Sequence, residues 1–120
     1  IIFWNDIISL LEEWYFVQCA AVDPRAAKLP LPEELMGELV RYVAAHEVGH
    51  TLGLEHNFKA SAWYTTAQLR NPKFTAENGL SASIMDYSRF NYVAQPGDGV
   101  TQTIGIIGPY DHFAIKYGYE

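Results

Sequence analysis

The chain has 120 residues, 49% hydrophobic and 18% charged, a composition that excludes a disordered tract and fits one folded core. Eight Lys and Arg against fourteen Asp and Glu leave a formal net charge of -6, which repels phosphate backbones and anionic lipid and argues against nucleic acid or a membrane surface as partner. No apolar run approaches the eighteen or so residues of a spanning helix, since the longest candidate, 14–22, is broken by Gln18.

Cys19 is the single cysteine, without an internal partner and inside an apolar run, which marks it as a core residue and leaves the redox compartment open. The sequence opens on Ile1-Ile2-Phe3-Trp4 with neither an initiator Met nor a basic leader, so a piece of a longer chain is expected, with any export signal outside it.

Residues 1–4 are β-branched and aromatic and read as the tail of a strand. From Asn5 or Asp6 as cap, the apolar positions Ile7, Leu10, Leu11, Trp14, Val17 and Ala21 fall on one helical stripe. This first helix is expected to end near Asp23-Pro24 and, having a narrow polar face, to be buried on most sides. A linker over 25–32 follows. Pro32 with Glu33 and Glu34 suits a helix start, because Pro fits the first turn and carboxylates favour the positive dipole end. The second helix runs to about Leu52, where Gly53 closes it. Residues 57–80 are polar and irregular, with short helical turns expected after Thr66 and Thr75 and interruptions at Asn71-Pro72 and Asn78-Gly79. Loops are expected over 81–93 and 95–99. Gly108-Pro109 opens a last amphipathic helix carrying Phe113, Ile115 and Tyr117.

The second helix holds His46-Glu47-Val48-Gly49-His50, then Gly53, then His56: an H-E-x-x-H-x-x-G-x-x-H string. Four residues of α-helix advance about 400° and 6 Å, so His46 and His50 sit one turn apart on one face and can grip one zinc ion. Glu47 lies about 100° round from His46, outside the ligand set yet within reach of a water on the metal. His56 would be roughly 9 Å further along and on nearly the opposite face if the helix continued, so the helix must break between them. Gly53 stands where that break is needed. Three neutral imidazoles with one open position describe a catalytic zinc site, whereas closed structural sites take four protein ligands, commonly cysteines. A shuffled chain of this composition would show the full string on the order of once in 10⁵.

About thirty residues on comes Ser83-Ile84-Met85-Asp86-Tyr87. The His46–His56 string followed by a Ser-Ile-Met-x-Tyr turn resembles the metzincin clan of zinc endopeptidases. The flanking runs WYFVQCAAVDP (14–24), PEELMG (32–37) and SIMDYSRFNYVAQ (83–95) resemble the EcxA-like bacterial metalloproteases. The resemblance implies an α+β metzincin-like catalytic domain, here a single partial domain over 1–120: zinc-binding helix, Met-turn and C-terminal helix, with most of the N-terminal sheet missing. It implies that Met85 forms a hydrophobic floor under the imidazoles. It also implies that Tyr87 can bind the metal at rest and then swing to the developing oxyanion, and that the protein is exported to the periplasm, cell surface or medium. Asn57, after the third His, matches none of the residues typical of the astacin, serralysin, matrixin and reprolysin branches, so none of these is assigned.

The reading is a zinc-dependent endopeptidase acting on peptide or protein substrates, with one catalytic Zn²⁺ on His46, His50 and His56. Glu47 is the general base and acid, and Tyr87 a second catalytic residue. Two alternatives stand beside it: a non-catalytic zinc scaffold or interaction module, and a zinc hydrolase acting on another acyl group. Asp86 or Asp111 is a candidate to orient an imidazole through its free N–H. His112 is expected to be structural or superficial, and Asp98 alone is too little for a calcium loop.

Overall fold

A computed structural model describes residues 1–120 and shows a chain whose regular structure is helical, joined by long irregular segments. Two long helices, α1 (Asn5–Cys19) and α2 (Glu33–Thr51), pack together; the short α3 (Thr66–Leu69) and α4 (Pro72–Asn78) follow, and α5 (Pro109–Tyr119) closes the chain. There is no sheet, only one antiparallel bridge between Phe90 and Ile104. Helices without a sheet are the architecture expected of the helical part of the domain that the resemblance implies. No helix is long and apolar enough to cross a membrane.

The core joins Leu11, Tyr15 and Cys19 of α1 to Leu35 and Leu39 of α2, with Leu31, Phe90 and Ile104 closing it. Leu35, Leu39, His46 and Gly49 form a single buried stripe along α2, so the rotation that seats two leucines in the core also turns His46 inward. α2 starts as its sequence predicts, with Glu33 and Glu34 in the first turn.

Several local expectations are corrected. Residues 1–4 pair with no strand, and Trp4, rather than Asn5 or Asp6, occupies the N-cap of α1 without a side-chain cap bond. The buried stripe of α1 is Leu11, Tyr15 and Cys19, whereas Val17 is 80% exposed and Ala21 lies in solvent. Tyr15 decides this rotation: its hydroxyl donates to buried Asp23 and meets Thr103 Oγ1 at 2.6 Å. Hydrophobicity alone cannot anticipate a polar anchor drawn from 88 residues away. α1 also ends four residues before Asp23, because the Asp23 N–H turns back onto the Cys19 carbonyl at 2.8 Å. Asn71-Pro72 separates α3 from α4 as expected, but α4 starts there and not after Thr75, the Asn71 side chain accepting from Phe74 N with Pro72 in the first turn. On α5, Phe113 and Tyr117 are exposed, and Asp111 is the buried residue.

Candidate metal centre

α2 ends in a Schellman arrangement. The Gly53 N–H donates to the His50 carbonyl and the Leu54 N–H to that of Gly49, each at 3.0 Å, with Gly53 at φ 87°. A β-carbon there would touch nothing within 4 Å, so the glycine serves the left-handed backbone and not a close contact. The chain reverses at that point and brings His56 back beside the helix, where Asn57 N–H donates to the Met85 carbonyl at 3.0 Å and fastens it.

The ring nitrogens then converge. His56 Nε2 lies 3.1 Å from His50 Nε2 and 3.2 Å from His46 Nε2. On the far sides of the rings, His46 Nδ1 faces the Ile84 carbonyl and His50 Nδ1 the Leu54 carbonyl, each at 2.8 Å. A carbonyl brings no hydrogen, so both Nδ1 atoms donate and both Nε2 atoms, in the neutral rings, carry bare lone pairs. A single Nε2–H on His56 could satisfy one of them at most. The separations match the roughly 3.3 Å expected between nitrogens each about 2.05 Å from one tetrahedral ion. The donor set therefore fits zinc. His46, His50 and His56 are the one group of potential metal-binding side chains whose ligand atoms gather within 4.8 Å.

Carbonyls, not carboxylates, orient the His46 and His50 rings, which corrects the expectation placed on Asp86 and Asp111. Asp86 accepts from Ser61 N at 2.6 Å. Asp111 accepts from Ile84 N at 2.7 Å, from Gly108 N at 2.8 Å and from Ser83 Oγ. Asp111 thus holds Ile84 by its N–H, while the carbonyl of the same residue faces His46, and Ser83 Oγ, which donates to Asp111, accepts from Met85 N at 3.0 Å in the peptide that carries this carbonyl. Exposed His56 is kept below its ordinary 6.5 by partial desolvation and then by its neighbours His50 and His46.

Met85 is 1% exposed and lies against Gly49, whose β-carbon, if present, would stand 2.3 Å from the Met85 sulfur. Gly49 sits at a variable position of the H-E-x-x-H string, and spacing gave no signal for it. Pairing it with Met85 required the loop 81–93 to be in place.

Residues 28–120 match the family described as Met-zincin. The chain belongs to that family. No curated protein and no solved structure matches it. In this Met-zincin the Tyr87 ring stacks on His46 at 5.4 Å between centroids and lies 4.3 Å from His56. Glu47 is half-buried and, with His46 and Tyr87, lines a cavity of ≈ 280 Å³ between α1, α2 and the segment after Met85. Phe58, 61% exposed and packed on both His56 and Tyr87, also borders the Met-zincin centre, and no sequence pattern had singled it out. His112 is exposed and stands outside the cluster, and Asp98 is taken up by Arg70, whose Nε and Nη2 donate to it at 2.8 and 2.9 Å. Cys19 is fully buried, with its thiol pushed up to about 12 by burial and then by Asp23, as a core residue would be.

Proposed function

We propose that the three imidazoles hold a catalytic zinc ion and that the protein is a zinc-dependent endopeptidase. The observation that carries this reading is the convergence of three Nε2 atoms, two of them fixed as bare donors by backbone carbonyls, one of which belongs to His46, a wall of the cavity that Glu47 also lines. A zinc ion bound there supplies Lewis acidity to a water and to the scissile carbonyl. Glu47 takes a proton from the attacking water as its oxygen bonds to the carbonyl carbon, then delivers that proton to the amine nitrogen as the C–N bond breaks. Tyr87, 45% exposed and stacked on His46, donates its phenolic O–H toward the oxyanion. Met85 floors the site, in the manner of a Met-turn, and fixes the height of the rings above it. Narrower membership in the EcxA-like group, one partial domain over 1–120 and export from the cytoplasm are part of the same proposal and rest on resemblance.

A non-catalytic zinc scaffold would leave Glu47 without a task, and nothing in the centre favours that reading over hydrolysis. The test is digestion of casein and a peptide library with zinc, with chelator, and with Glu47→Gln. Zinc-dependent cleavage lost in Glu47→Gln, with zinc still bound, is the expected result. Stoichiometric zinc binding without cleavage in the longest natural chain carrying this segment would assign the scaffold instead.

A further inference from the structure

The cavity shared by Glu47 and Tyr87 has a second polar wall that peptide hydrolysis leaves without a task. Arg89 is the one non-glycine residue in the left-handed region, at φ 61°, a conformation that L-residues adopt against a steric penalty. The turn carries its guanidinium back over Trp14, 4.1 Å from the ring centroid, and within 5.1 Å of the Tyr87 centroid. Arg25 meets Asp23 and Glu38, and Arg70 meets Asp98, all within 3.0 Å. Arg89 instead is half-buried, forms no ion pair and donates no hydrogen bond, so its planar fork of donors lies against two aromatic faces with its hydrogen-bonding capacity unused. It lines the same cavity as His46 and Glu47, where Leu10 and Val43 supply apolar wall.

We infer that Arg89 is a specificity-determining residue that receives a carboxylate of the substrate, from an Asp or Glu side chain or from the peptide's C-terminus, beside the scissile bond. The inference rests on the peptidase reading of the centre. A guanidinium fork matches a carboxylate in two parallel hydrogen bonds. The apolar wall accommodates the methylenes of an acidic side chain. A multiply charged phosphate is disfavoured by the net charge of -6 and by Glu47 in the same cavity.

Trp14 emission reads this binding directly, in protein whose two exposed tryptophans are replaced (Trp4→Phe, Trp63→Phe). Metal-free and zinc-loaded Glu47→Gln protein is titrated with a blocked peptide amide containing Glu, with its Gln twin, and with the Gln twin bearing a free C-terminal carboxylate. One acidic peptide should bind about tenfold more tightly than the neutral twin, and which one assigns the side chain or the terminus as the source. Arg89→Gln should erase that preference, and Arg89→Lys, which keeps the charge without the fork, should weaken it. Binding without catalysis separates this result from the outcome of the digestion experiment. Equal affinity of the parent protein for all three peptides, whatever the folding of the variants, would overturn the inference and leave Arg89 as a clamp between α1 and the loop after Met85.

Discussion

Gly49 and Met85 occupy adjoining space so closely that no side chain fits between them: a β-carbon on the glycine would lie 2.3 Å from the sulfur and 3.3 Å from the methyl carbon of Met85. The glycine lets the loop 81–93 approach α2, and the approach sets the Ile84 carbonyl against His46. Gly49→Ala should therefore destabilise the fold by about 1–3 kcal/mol through overpacking. The same substitution should cost less in a Met85→Ala background, and a double-mutant cycle in urea measures the coupling.

Zinc should stabilise the folded chain, because the converging nitrogens exist only there. At a free concentration about 100 times its Kd the gain is about 2.7 kcal/mol, read as a rise in Tm that chelator reverses. His56→Ala should abolish most of the rise. Gly53→Ala should cost about 1 kcal/mol or more for its left-handed backbone and weaken zinc binding, by moving the turn that returns His56.

Asp111 is 3% exposed and its carboxylate accepts from Ser83, Ile84 and Gly108. Asp111→Asn replaces one accepting oxygen with a donor that faces N–H or O–H groups. A loss of about 1.5–3 kcal/mol is expected, with weaker zinc binding because the turn at Ser83 and Ile84, whose Ile84 carbonyl orients His46, is released. Denaturation midpoints and zinc titrations of the variant check both parts.

Acid should destabilise the chain through Asp23 and Asp98. Burial raises the Asp23 carboxyl, but hydrogen bonds from Arg25 and Tyr15 outweigh it and hold the group below 3.8. Arg70, with the Gln95 N–H, lowers Asp98 from 3.8 to about 2. A carboxyl depressed by folding contributes stability that is present above its unfolded value and lost as pH falls through the folded one. The decline is expected below about pH 4 and toward pH 2, and Asp98→Asn should flatten part of it in acid titrations followed by circular dichroism.

The histidine string, its turn and the return of His56 were legible in the sequence because their logic is local: helical spacing aligns His46 with His50, and a glycine with φ 87° reverses the chain for His56. The span of α2 was legible for the same reason. The face that α1 buries was not, since Tyr15 is anchored by Thr103 from the far end of the sequence.

Nor could spacing reveal that carbonyls of Ile84 and Leu54 fix the imidazole tautomers, that Asp111 holds the first of these in place, or that Arg89 lies over Trp14. Those relations join segments distant along the chain through backbone atoms, which every residue carries alike and no residue letter marks. Residue order along one helix and its turn names the side chains able to act on a metal; long-range packing sets what orients them and what shares the cavity of His46 and Glu47.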